Sequence, residues 1–137
     1  MMLREIINDV IEKLTNNGVT AVYNAFDAVD IAKKEKGMFT VVGIGGYEAF
    51  TPVYSQFYVY IPFRADIEIR ITAPKGTSSD DLYLFYDENI EPVITDMSGL
   101  TCSLSKMSIK FDSNIQRLVL TAKLSASGIT KTERISP

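Results

Sequence analysis

The sequence predicts an α+β fold, a mostly antiparallel sheet of four to five strands with two main helices packed on one face. Three observations carry that reading. Residues 57–73 alternate apolar and polar side chains without a phase error, the two-residue period of a strand with one covered face. Leu3, Ile6, Ile7, Val10, Ile11 and Leu14 repeat at helical spacing near the start. Two further alternating runs flank Asp112-Ser113-Asn114, a turn-forming triplet. A chain of 137 residues suits a single domain. Its core is expected over residues 3–127, with a loose polar tail over 128–137.

The elements follow in order. Arg4, Glu5, Asn8, Asp9, Glu12 and Lys13 take the solvent face of the first helix, and Gly18 stands where a C′ glycine would end it. Residues 19–26 are short, apolar and partly β-branched, so a strand is predicted. A short helix is expected from Asp27 to Lys36, closed by Gly37. Residues 38–44 read as a strand, and Gly43, Gly45 and Gly46 then open an irregular loop to about Ser55.

The long alternating strand follows. Pro62 cannot donate a ladder hydrogen bond, so an edge position or a bend is expected there. Residues 63–73 make the better central strand. Pro74-Lys75-Gly76-Thr77-Ser78 is a turn, after which Ser78 or Ser79 caps a helix with Asp80 and Asp81 in its first turn. Leu82, Phe85, Tyr86, Ile90, Val93, Ile94 and Met97 line its buried face. Pro92 should kink or interrupt it, and Gly99 ends it. Leu100, Cys102 and Leu104 then alternate in one parity, and Met107, Ile109 and Phe111 in the other. That change predicts a β-bulge or strand break near Ser105-Lys106. Leu118, Leu120, Ala122, Leu124 and Ala126 complete the last strand.

Composition removes several functions. There is no histidine, a single cysteine, and 14 basic against 17 acidic side chains. A His-dependent triad, a Cys–His pair and an imidazole metal site are excluded. So are an intrachain disulfide and a cysteine-rich metal site. The net charge of −3 argues against broad nucleic-acid binding. Glu5, Asn8, Asp9 and Glu12 interrupt the N-terminal apolar residues, so no signal peptide is read. No run approaches the ~20 apolar residues of a membrane span. A soluble protein made in the cytoplasm is expected.

Candidate sites are few. Gly43-Ile44-Gly45-Gly46 lacks the spacing and the Lys-Ser/Thr pair of a phosphate loop. Asp80, Asp81, Asp87 and Glu88 would serve a metal-dependent hydrolase but equally suit a solvated helix face. Cys102 lacks a base. Tyr58, Tyr60, Arg64, Asp66, Glu68 and Arg70 share the outward face of the long strand. Asp66 and Glu68 spoil that face for nucleic acid, whereas Tyr and Arg are enriched at protein interfaces. These six are the candidate interface residues. No catalytic, cofactor-binding or metal-binding residue is assigned, no cofactor is expected, and no enzymatic activity is predicted. A competing reading is a small-ligand-binding regulatory domain or another α+β interaction domain, with the glycine segment beside a sheet edge.

The element order carries a resemblance. An N-terminal amphipathic helix precedes Met38-Phe39-Thr40-Val41-Val42-Gly43-Ile44 and a glycine-containing loop. A long strand ends in Ile69-Arg70-Ile71-Thr72-Ala73-Pro74-Lys75, and a Ser-capped helix and a final hairpin over 107–126 follow. Over residues 3–127 this resembles the small tail-terminator-like (tail completion, head–tail joining) proteins of long-tailed bacteriophages and prophages. The resemblance implies a homo-oligomeric ring, usually a hexamer, that closes the tail tube. Its partners would be further copies of itself, the tail-tube protein and the head-connector protein, with no membrane and no specific nucleic acid. It implies assembly in the host bacterial cytoplasm and final residence in the virion tail.

Overall fold

The computed structural model describes residues 3–19, 22–24, 37–97 and 99–135. The short helix expected at 27–36 lies outside them. Elements run α1 (Leu3–Asn16), β1 (Val22–Asn24), β2 (Phe39–Ala49), β3 (Val53–Tyr54) and β4 (Tyr58–Pro74). Then come α2 (Ser79–Phe85), a π-helical turn (Tyr86–Ile90), α3 (Glu91–Ile94), β5 (Leu100–Asp112) and β6 (Arg117–Glu133). The sheet order is β1-β2-β4-β6-β5, with β3 added to β4. The β1–β2 pair is parallel and every other pair is antiparallel. The fold class is therefore α+β, as the alternation predicts.

The helices are built as their sequences dictate. Ile6, Ile7, Val10 and Leu14 of α1 are buried, and Gly18 leaves the helix at φ +87°, a conformation that costs glycine little. Gly76 takes φ +98° in the turn closed by the Thr77 N–H on the Pro74 carbonyl at 3.1 Å. Ser78 Oγ accepts the Asp81 N–H at 3.1 Å and caps α2. Leu82, Tyr86, Ile90, Val93, Ile94 and Met97 are buried beyond it. Pro92 lies in the first turn of α3, directly after the π-helical turn. The Glu91 N–H reaches back to the Tyr86 carbonyl. Widening the turn here moves the backbone past a residue that cannot donate and would crowd the preceding carbonyl. The predicted interruption takes this form. Asn17 Nδ2 donates to the Asn89 carbonyl at 2.9 Å, tying the end of α1 to that turn.

Strand β4 is the spine. Phe63, Ala65, Ile67, Ile69, Ile71 and Ala73 are all at most 2% exposed and face the helices, joined by Val42 of β2 and Leu120, Ala122, Leu124 and Ala126 of β6. The Phe50 N–H bonds the Pro62 carbonyl at 2.8 Å. Pro62 lies between the last β2 pair, at Phe63, and the β3 pair at Tyr60, so its missing donor falls where one neighbour strand has left and the next begins. The predicted phase change in β5 is a bulge between Leu104 and Lys106, pinned by the Ser105 hydroxyl donating to the Lys123 carbonyl at 2.9 Å.

Two expectations are corrected. Residues 43–49 are not a loop: β2 continues to Ala49, and the register shift between Ile44 and Gly46 makes Gly45 the extra residue of a bulge. Glycine inside a strand marks such a bulge as readily as a loop. Nor are residues 128–133 a loose tail. They extend β6 to Glu133, with Gly128 opposite Phe63 and Glu133 opposite Tyr58. Their backbone groups are satisfied by the N-terminal half of β4, so apolar side chains are not needed to hold them.

Candidate interface on the outer face of the sheet

All six candidate residues project from β4 on the face away from the helices. In the ladder Tyr58 opposes Glu133, Tyr60 opposes Lys131, and Arg64 opposes Ser127. Asp66 opposes Ser125, Glu68 opposes Lys123, and Arg70 opposes Thr121. Tyr58 and Tyr60 are half-buried with ring centroids 6.3 Å apart, and Lys131 Nζ sits 4.1 Å above the Tyr58 ring. Arg64 pairs with Glu48 of β2 at 3.8 Å, and Arg70 Nε donates to Glu68 at 2.8 Å. Exposed pairs of this kind contribute only about 0.2–1 kcal/mol each. They hold side chains in place more than they stabilise the fold.

Sequence reasoning from β4 alone misses the neighbouring strands. Lys106 and Lys123 stand directly opposite one another across β5 and β6, and Lys110 lies on the same side of β5. With Arg70, Ser108, Thr121 and Glu68 they line one shallow groove. A second groove, lined by Gly45, Asp66, Glu68, Ser105 and Lys123, adjoins it. Like charges directly opposed across a ladder are destabilising. Cross-strand register, which the sequence does not state, is the signal that reveals this patch.

The far end of the sheet runs past the helices. Here β3, the start of β4 and the end of β6 form a three-stranded arm. Phe50, Val53, Tyr54, Phe57 and Ile129 are 47–64% exposed on it. Phe57, an apolar odd position of the long alternating stretch, is 61% exposed because no described helix reaches it. Arg134 holds the arm closed: its N–H bonds the Phe57 carbonyl at 2.8 Å and its guanidinium bonds the Ser55 carbonyl at 3.0 Å. The same guanidinium stacks 5.5 Å from the Tyr54 ring. At the opposite end Arg117 is buried, 5.0 Å over Phe39, and donates to the Gly37 and Thr72 carbonyls.

The other sequence candidates are dispersed. Asp80 and Asp81 lie in the first turn of α2 and Asp87 and Glu88 in the π-helical turn, all exposed. Among the described residues no three acidic or cysteine side chains group as metal ligands. Cys102 is half-buried on β5, and burial raises its thiol pKa, opposed by Lys13. No described helix is long and apolar enough to cross a membrane.

No protein-family model matches the sequence, and no curated protein matches it. Solved structures do. The chain is similar to a PVC sheath/tube terminator of an extracellular contractile injection system in its extended state, at 7% identity and a TM-score of 0.53. The match covers 99% of this chain and 59% of that one. The fimbrial biogenesis protein PilO from Pseudomonas aeruginosa matches at 13% identity and a TM-score of 0.32, over 96% of this chain and 69% of PilO. What the chain shares with the terminator is its fold, over nearly its whole length.

Proposed function

We propose that this chain is a tail-terminator-like structural protein of a phage, prophage or related tail. In this reading copies of the chain form a ring that caps the tail tube and joins it to a head connector. The observation that carries the reading is the fold that nearly the whole of this chain shares with 59% of a sheath/tube terminator. An open sheet face bearing aromatic and mixed-sign charged residues supports it. Such a face suits contact with another copy of the chain, where an acid on one subunit meets a base on the next. The protein acts by binding alone: no catalytic step and no cofactor enter, and Cys102 is a core thiol.

The test is genetic. Arg70→Glu with Tyr60→Ala is introduced into the producing phage or prophage. Tails of irregular length without heads are expected. Normal-length, head-joined tails would remove this face from the interface. Turnover in a hydrolase screen, abolished by Asp81→Asn or Glu88→Gln, would overturn the non-enzymatic assignment.

A further inference from the structure

The described residues are electrically two-sided. The described helices with their flanking turns, residues 3–19 and 75–97, carry nine acids against three bases, a net of −6. The described sheet residues, 37–74 and 99–135, carry five acids against eight bases, a net of +3. On the helical side Asp80, Asp87, Glu88 and Glu91 follow one another at spacings that keep them on the solvent surface, and each is exposed. Leu84 lies within this ridge and is 55% exposed. On the sheet side Lys106, Lys110 and Lys123 surround the groove described above. Among the described residues neither the ridge acids nor these three lysines belong to an ion pair.

We infer that the basic groove of one copy receives the acidic helical ridge of a second copy, head to tail. Two observations select this occupant. The ridge and the groove are of opposite dominant sign, Glu68 being the one acid in the groove and paired with Arg70, so ridge meets groove favourably while groove-to-groove and ridge-to-ridge contacts repel. Leu84 supplies an exposed apolar anchor in the middle of the charged ridge, the arrangement of an interface hot spot ringed by polar groups. A contact between two different patches is heterologous and closes into a ring when its rotation permits. The inference rests on the ring reading above and names the two surfaces that reading requires.

Charge exchange tests it. One variant carries Lys106→Glu, Lys110→Glu and Lys123→Glu; a second carries Asp87→Lys, Glu88→Lys and Glu91→Lys; a third combines all six. Circular dichroism establishes that each is folded. Sedimentation at low salt should show concentration-dependent association of the wild type, weakened by added salt as screening requires. Each one-sided variant should associate at least about tenfold more weakly. The six-fold variant should regain association, and so should an equimolar mixture of the two one-sided variants, whose unlike faces attract. A folded six-fold variant that stays monomeric overturns the inference, as does a wild type monomeric up to its solubility limit. Retention of the wild type on a DNA oligonucleotide, lost in the lysine variant without any change in sedimentation, would assign the groove to a polyanion and also overturn it. Phage complementation separates the two readings. If the lysine variant supports normal tails, head-to-tail docking fails while the terminator reading stands. If charge exchange restores association in a protein that no tail requires, the terminator reading fails and the docking stands.

Discussion

The Phe63 ring lies directly over Gly128, its cross-strand partner. A Cβ on Gly128 would come within 2.8 Å of Phe63 Cζ, 2.9 Å of Leu100 Cδ2 and 3.0 Å of the Gly99 carbonyl. The aromatic ring thus covers a residue with no side chain to bury. It does so where the helix-covered part of the sheet gives way to the arm. Gly128→Ala should cost about 1–3 kcal/mol, the range for an inserted methyl in a packed site. Phe63→Leu in the same chain should recover part of that loss, because the closest contact disappears while the backbone oxygen remains. Denaturant melts of the two single variants and the double variant measure the coupling. Strict additivity would mean that the ring does not press on this position.

Ile69 is fully buried at the centre of β4, between Val42 and Ala122 on the neighbouring strands. Ile69→Ala should destabilise by ~2–5 kcal/mol. A loss below ~0.5 kcal/mol in chemical denaturation, the size of a surface change, would mean that the strand presents its other face to the helices.

The arm behaves oppositely. Tyr54 and Phe57 are 64% and 61% exposed, so replacing both with serine should move stability by no more than about 0.5 kcal/mol per site. Binding of an apolar dye should fall, because exposed apolar clusters of this kind are what such dyes and protein partners recognise. A thermal melt lowered as far as that of Ile69→Ala would show that these rings are part of the core.

Much of this architecture was legible because hydropathy period and burial agree. The even spacing of Ile67, Ile69 and Ile71 and the parity change at Ser105 translate directly into a covered face and a bulge. The capping Ser78 and the interrupting Pro92 are equally local signals. What stayed hidden depends on pairing. Residues 128–133 read as a tail because their side chains are mostly polar, yet β4 spans 17 residues and β6 matches that length. The β-branched Ile129, Thr130 and Thr132 were the available sign of a strand. Gly43, Gly45 and Gly46 read as a loop because glycine marks bulges and loops alike. Of the candidate interface, the β4 sequence shows its own six residues, whereas Lys106 facing Lys123 follows from register alone.

Tyr86 gives the fold a pH limit. It is 3% exposed, and its hydroxyl has no hydrogen-bond partner among the described residues. Burial, followed by the carboxylates of Glu91 and Asp87, pushes its pKa up from 10.0 to about 12. The folded state therefore keeps a proton that the unfolded chain loses above pH 10. The contribution of this group is fully present below the unfolded pKa and is lost as pH rises through the folded one. Stability should decline between about pH 10 and 12 for this reason, with no change near neutrality. Tyr86→Phe removes the titrating group and a buried hydroxyl whose desolvation costs about 1–3 kcal/mol when unmatched. Denaturant melts at neutral pH should find that variant at least as stable as the wild type, and between pH 10 and 12 its decline should be shallower. A parallel decline in both proteins would assign the alkaline loss to other groups, and a marked loss at neutral pH would mean that the hydroxyl is held by a partner after all.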